Sequence, residues 1–459
     1  MSSPSSESTS SSSINAASIN AAPINAAPIS APPVTAALTR QDLKTLSLAA
    51  LGGALEFYDF IIFGFFAAVM AQLFFPAETA EWLRLLQTWG LFAAGYFARP
   101  IGGVVMAHFG DRSGRKRMFT LSVFMMAIPT LLMGLLPTYA SVGYAAPLAL
   151  LALRLVQGAA IGGEVPGAWT FVSEHVPPNR VGFACGTLTA GLTFGILFGS
   201  LIATAVNKNL GPAEVLAYGW RIPFLVGGIF GFFAVFLRRL LAETPVFEEM
   251  RRRNELVRGL PLKSVLAGHG RGVAISMLLT WVLTAGIVVV ILMTPTLIQK
   301  LFSIAPADAL AANSLATLGL AIGCVVYGVA ADRFGAARVV AVGCALLLGA
   351  VYMLYLGLGT SPQSLVPLYS LTGFFVGVVG VIPTVLVRAF PPAVRFSGIS
   401  FAYNVAYAIF GGLTPLFVQL WLKTQPLAPA HYVAALCVVG VVVALVTGPQ
   451  RAASAPSSA

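Results

Sequence analysis

The sequence predicts an all-α membrane protein: twelve transmembrane helices arranged as two pseudo-symmetric halves of six. Three observations predict it. Only 9% of the residues are charged, 58% are hydrophobic and the mean hydropathy is +0.86, whereas a soluble chain carries about a quarter charged residues. The lysines and arginines gather in alternate loops between apolar runs, as the positive-inside rule requires. One charged turn is also written twice, as AHFGDRSGRKR at Ala107 to Arg117 and as GVAADRFGAAR at Gly328 to Arg338. Asp111 aligns with Asp332, Arg112 with Arg333, Gly114 with Gly335 and Arg117 with Arg338. A turn repeated at the same point of two hydrophobic halves indicates duplication.

The elements follow in order. Residues 1–38 are Ser, Ala, Asn, Ile and Pro in near-repeats such as SINAA and PINAA. They lack a basic start and an apolar core, so they are no secretory signal. Their small apolar content cannot offset chain entropy, which predicts a disordered cytoplasmic tail. Residues 39–241 form the first half, with spans expected at 47–74, 87–109, 116–136, 145–172, 181–206 and 219–241. Each is near the length that crosses the hydrocarbon, and Pro, Gly and charge clusters separate them. The longest polar stretch contains EEMRRRNELVR and makes 242–271 a central cytoplasmic loop. Residues 272–448 form the second half, with spans at 272–298, 309–331, 337–358, 364–388, 396–421 and 431–448, and 449–459 is a short cytoplasmic tail. The runs do not alternate, which argues against membrane strands.

With the N-terminus inside, twenty of the 27 Lys and Arg lie on the inner side. Arg84, Lys208, Lys300 and Lys423 lie on the outer side, and Arg99, Arg154 and Arg221 lie within or at the ends of spans. The expected location is a bacterial inner membrane, multi-pass, with both termini cytoplasmic. The net charge of +11 belongs to these loops and does not indicate nucleic acid. Cys185, Cys324, Cys344 and Cys437 lie in apolar segments without metal-type spacing and read as packing residues. His108, His175, His269 and His431 are scattered near span ends. No phosphate loop, zinc motif or nucleophile elbow occurs, so no enzyme, cofactor or metal is expected.

Ionisable groups inside the bilayer mark pathways or partners. Span one holds Glu56 and Asp59 on one helical face, span two Arg99, and span four Arg154. At 1.5 Å per residue, Asp59 lies about 18 Å from the inner face, Arg154 about 14 Å from the outer face, and Arg99 about 18 Å in from the outer end. In a core about 30 Å thick, two carboxylates and two guanidiniums therefore meet near mid-depth, where alternating-access carriers bind substrate. The competing reading is a permanent buried salt bridge that pins helices. The second half is nearly free of mid-span charge. Its polar candidates are Gln299 near an outer end, Asn313, and Tyr403, Asn404 and Tyr407 on one face of span eleven, where packing is the competing role for the aromatics.

A second loop repeat, PPNRVG at Pro177 to Gly182 and PPAVRFSG at Pro391 to Gly398, follows spans four and ten. With GDRSGRKR at Gly110 to Arg117 and RLVQG at Arg154 to Gly158, the chain resembles the major facilitator superfamily. LEFYDF at Leu55, ARPIGG at Ala98, GWRIPF at Gly219, ETPVF at Glu243 and the stretch through Pro415 resemble its metabolite:proton symporter family over about residues 40–450. That resemblance implies transport of organic acids or zwitterionic osmolytes with protons. It implies that Asp59 and Arg154 are a proton-coupled pair, as in sugar:proton symporters. It also implies an inner gate in which Arg115 or Arg117 bonds with Glu174 and Glu243, alongside Asp111, Arg112, Gly114, Lys116 and Arg180. In the second copy, Asp332, Arg333, Gly335 and Arg395 remain, bases have given way to Ala336 and Ala337, and Arg388 stands where the family has Glu. A charge-swapped Asp332–Arg388 lock is therefore expected.

Span five carries Gly182, Gly186, Gly191, Gly195 and Gly199 with no Pro between them. The glycines suit sliding helices, and the missing Pro disfavours the drug-antiporter variant of the resemblance. Osmosensing members of the family that the chain resembles often carry long coiled-coil C-terminal tails, so under that resemblance the short tail here disfavours osmoregulation. The reading is a monomeric, proton-coupled importer of a small carboxylate, because arginine forks suit carboxylate oxygens. Asp59 and Glu56 are its proton-coupling candidates, and Arg154, Arg99, Tyr403, Asn404 and Tyr407 its substrate-binding ones. The alternatives are a zwitterionic osmolyte, whose amine Glu56 would hold, and an efflux antiporter.

Overall fold

A continuous apolar run in hydrocarbon has no water for its backbone, so it closes its hydrogen bonds internally as helix. The computed structural model describes residues 46–448, apart from 48–49, 51–52, 55–56, 59–60, 114, 163, 240–264, 267 and 392–394. Of residues 104–113, 115–120, 122–123, 164, 171, 174–175, 234, 237–239 and 396 it describes the backbone alone. The expected tails 1–38 and 449–459 and most of the central loop lie outside these residues.

Among the described residues the regular elements are helical. Eight helices are long and apolar enough to cross a membrane: Ala145–Thr170, Pro178–Asn209, Gly270–Phe302, Pro306–Phe334, Ala336–Thr360, Pro362–Arg388, Ser397–Trp421 and Ala428–Thr447. These are expected spans four, five and seven to twelve. Span six makes a ninth, bent by 42° where Pro212–Gly219 meets Arg221–Phe233. Span two is the helix Glu81–Ser113 and span three is Arg115–Leu135. Most helices overrun the expected bounds at one or both ends, because polar residues at an interface continue a helix that the hydrocarbon has started.

Small residues set the closest approaches. A Cβ at Gly186 would collide with Cys324 O, and one at Gly182 would lie 2.5 Å from Gly328 O. Spans five and eight are thus in backbone contact and join the two halves. Spans two and four meet through Gly158 against Gly95 and Gly102 against Ala159. Gly335 has φ 90° in the turn between spans eight and nine, a conformation that disfavours other residues. Its place in the repeated loop motif is therefore a backbone requirement. The four cysteines are buried and unlinked. Side chains such as Ile101, Leu148, Ile229 and Leu445 face outward, as lipid contact requires.

Candidate functional site

A narrow cavity of about 20 Å³, room for about one water, lies between the halves, lined by Phe57, Ile61, Tyr96, Arg99, Ile161, Ile287 and Tyr407. Two of these residues come from π-helical segments, Ala285–Met293 in span seven and Tyr407–Gly411 in span eleven. A π segment inserts an extra residue into the helical ladder, so carbonyls need new partners. Thr294 Oγ1 donates to Val289 O (2.8 Å) and the Tyr369 hydroxyl to Val290 O (2.6 Å). Trp281, one turn before the span-seven segment, stacks on Phe410 with centroids 4.1 Å apart, tying spans seven and eleven together.

Arg99 is 3% exposed. Its guanidinium lies 5.2 Å from the Tyr96 ring and 4.9 Å from the Tyr407 ring. The two rings stack on each other at 5.5 Å. Cation–π attraction therefore holds the fork at the cavity wall. Arg154 is completely buried and does not line the cavity. Its guanidinium sits 4.6 Å from Phe63 and 5.1 Å from Phe92, and its Nη1 donates to Gln157 Oε1 (2.9 Å). Gln157 in turn donates to Thr130 (2.6 Å). Among the expected substrate residues, Arg99 and Tyr407 thus line one space and Arg154 stands a layer behind. Glu56 and Asp59 lie outside the described residues.

Tyr403 and Asn404 do not line the cavity. Tyr403 packs edge-on to Trp169 at 5.0 Å. Asn404 Nδ2 donates to Gly162 O of span four and to Ser400 Oγ (3.3 Å). Gly162 directly follows Ile161, so the Asn404 contact stands beside the cavity wall. A buried amide needs a hydrogen-bond partner, and a backbone carbonyl satisfies it where an apolar cavity would not.

At the Lys/Arg-rich end of the bundle the expected Asp332–Arg388 ion pair is not formed. Asp332 Oδ1 accepts from the Gly182 N–H (2.6 Å) and Oδ2 from the Phe183 N–H (2.8 Å). The first N–H groups of span five lack helical partners and carry the positive helix end, so they claim the carboxylate. Arg388 is exposed and acts on Asp332 only through space, as does Arg180. Arg333 is exposed with its guanidinium 5.5 Å from the Phe334 ring, and Arg395 is half-buried at the start of span eleven. The side chains of Asp111, Arg112, Arg115, Lys116, Arg117 and Glu174 lie outside the described residues, as do Gly114 and Glu243 altogether.

Contacts also bridge the halves at the opposite, Lys/Arg-poor end. Ser314 Oγ donates to Ser200 Oγ (2.9 Å), which donates to Leu310 O (3.1 Å), across the span five–eight seam. Lys300 Nζ lies 2.6 Å from Glu81 Oε1. That bond and the charge of Lys300 hold the Glu81 carboxyl below the ordinary carboxylate range. No group of three or more potential metal ligands occurs among the described residues. Sequence reasoning missed Tyr96, Phe57, Ile61, Ile161, Ile287 and Trp169. Tyr96 alone carried a signal, standing three residues before Arg99 and so on its face.

The model of the Major Facilitator Superfamily matches residues 49–415. The chain is 33% identical over 404 residues to the ectoine/proline transporter ProP of Corynebacterium glutamicum, covering 83% of this chain and 79% of that one. It is 32% identical over 368 residues to the citrate-proton symporter of Klebsiella pneumoniae, covering 80% and 82%. The xylose transporter XylE from E. coli, in a partially occluded inward open conformation, matches with a TM-score of 0.69 at 17% identity, over 88% of this chain and 97% of that one. At that identity the likeness is one of fold.

Proposed function

The chain belongs to the major facilitator superfamily, and we propose that it is a proton-coupled importer of a small carboxylate that works by alternating access. The observation that carries this reading is Arg99. It lines the cavity, and the faces of Tyr96 and Tyr407 are already turned to its guanidinium at 5.2 and 4.9 Å. An ammonium seeking an aromatic box would meet those faces occupied by a cation. A carboxylate's two oxygens match the planar geometry of a guanidinium. The remaining lining, Ile61, Ile161, Ile287 and Phe57, suits an apolar substrate body.

In this mechanism Asp59 carries the coupled proton, and Arg154 stands behind the cavity wall as its partner in span four. Protonation of Asp59 frees Arg154 to draw its aromatic neighbours and the substrate inward. Deprotonation recaptures it. The Lys/Arg-rich end, bridged by Asp332 on span five, faces the cytoplasm of a bacterial cell. Contacts bridge the two halves at both ends, as an occluded stage of the cycle requires. It works as a monomer, with its site complete in one chain.

The relatives' names include a carboxylate and zwitterions, so the test must separate them. A thermal-shift screen on the purified protein compares organic acids with proline and betaine. Carboxylates should stabilise the wild type and lose that effect in Arg99→Lys. Stabilisation by betaine that survives Arg99→Lys would establish the osmolyte reading instead.

A further inference from the structure

Glu81 and Trp82 are consecutive residues in the first turn of span two. Each touches the end of a different helix from the other half. Glu81 Oε1 lies 2.6 Å from Lys300 Nζ, in the last turn of span seven. The Lys423 ammonium, just past Trp421 at the end of span eleven, lies 3.0 Å from the centre of the Trp82 ring. Spans seven and eleven are the two helices whose π segments line the cavity. One helix start in the first half therefore holds both cavity-forming helices of the second half at their far ends.

We propose that Glu81, Trp82, Lys300 and Lys423 form a latch that keeps the Lys/Arg-poor mouth of the carrier shut. The proposal rests on the alternating-access reading, but not on the identity of the substrate. Each charge is favoured where it stands even before the mouth closes. Glu81 sits at a helix N-terminus and Lys300 at a helix C-terminus, so each complements its own helix dipole. The left-handed Ser303 (φ 54°) ends the span-seven helix one residue after Phe302, which fixes the reach of Lys300. Closure thus brings together charges that are already ordered.

The strength of the contacts suits a latch. The Glu81 and Lys300 side chains are 69% and 29% exposed, and water competes for such a pair. An exposed cation–π contact is similarly weak. Neither would trap the carrier, and together they shift the open-to-closed ratio by a factor of about ten, with each contributing about threefold. Below them, the Ser200–Ser314 contact closes the span five–eight seam. That seam joins helices already in backbone contact, whereas the latch joins helix ends that must part when the mouth opens.

The test uses a single reporter, Ile61→Cys in the cavity wall, labelled in proteoliposomes by a membrane-impermeant maleimide. The four native cysteines are buried, and the parent without Ile61→Cys sets the background. Glu81→Lys and Lys300→Glu, each alone, should raise the labelling rate from the Lys/Arg-poor side about threefold. The double charge swap should return it to near the starting rate. Trp82→Ala should raise it independently, and its effect should multiply with that of Glu81→Lys. Unchanged labelling in both single variants, or further acceleration in the double swap, would overturn the latch. Retention time on a gel-filtration column separates misfolding from opening, and recovery in the double swap cannot come from a misfolded chain. Labelling needs no substrate, so it stands even if no carboxylate is transported. Conversely, carboxylate uptake with unaltered labelling refutes the latch alone.

Discussion

Asp332→Ala removes the side chain that closes the Lys/Arg-rich end over span five. The carboxylate accepts two backbone N–H bonds, at 2.6 and 2.8 Å. A hydrogen bond to a charged group contributes about 1.5–3 kcal/mol, and a charge at a helix N-terminus about 0.3–1 kcal/mol. Asp332 is half-buried, and water reoccupies the N–H groups when that end opens, so we take the lower range. The net is about 2 kcal/mol, or roughly a thirtyfold shift toward the state open at that end. Arg388 is exposed and makes no ion pair within 4 Å of Asp332. Arg388→Ala should then cost less than about 1 kcal/mol. Maleimide labelling of Ile161→Cys in inside-out vesicles reads the opening. Asp332→Ala should label tens of times faster than the parent, and Arg388→Ala at most a few times faster. Equal effects of the two substitutions would show that the lock is an ion pair and that the helix-end account is wrong.

Further predictions concern the cavity and the proton. Arg99→Lys keeps the charge and loses the fork, so KM for a carboxylate should rise at least tenfold in initial-rate uptake; an unchanged KM would remove Arg99 from the binding role. Arg154→Lys breaks the contact with Gln157 behind the wall, so kcat should fall with KM nearly constant, and a KM rise as large as that of Arg99→Lys would place Arg154 in the cavity. Asp59→Asn should abolish proton-driven accumulation and leave counterflow partly intact; accumulation that persists would release Asp59 from coupling. For Glu81 the sign follows from its lowered pKa: the bridge to Lys300 is present above the ordinary carboxylate range and is lost only as pH falls through the depressed value. Arg84 on its own helix and Lys423 above Trp82 add positive charge nearby. External labelling should therefore stay flat between about pH 7 and pH 5, and a rise within that interval would contradict the shift.

The helices were legible because each is an apolar run of membrane length, a signal that survives without any partner. Arg99 and Arg154 were legible for the converse reason, since a charge in such a run stands out. Their order in depth was not. The pattern of spans two and four cannot say that Phe63 and Phe92 shield Arg154 while Tyr96 and Tyr407 present Arg99. Tyr96, Trp169 and Ile287 were silent, because an aromatic or branched residue in a membrane helix resembles any packing residue. The π segments left no trace either: Ala285–Met293 is apolar throughout, so its hydrophobic pattern has no register to break. Asp332 shows another blind spot. Pairing charges by complement finds Arg388, but the true partners are backbone N–H groups of Gly182 and Phe183, which no side-chain pattern reveals. Gly335 was legible as part of a repeated motif, and its positive φ gives a backbone reason for glycine at that position.

The central claim is that a proton gradient drives a carboxylate through a cavity anchored by Arg99. Uptake of labelled citrate and of a labelled apolar monocarboxylate into proteoliposomes tests it most directly, with an imposed inward proton gradient and a protonophore control. The account predicts transient accumulation above equilibrium of at least one carboxylate, abolished by the protonophore and by Asp59→Asn, with its KM raised by Arg99→Lys. Gradient-driven accumulation of proline or betaine with neither carboxylate moving, or carboxylate uptake indifferent to the protonophore, would contradict it.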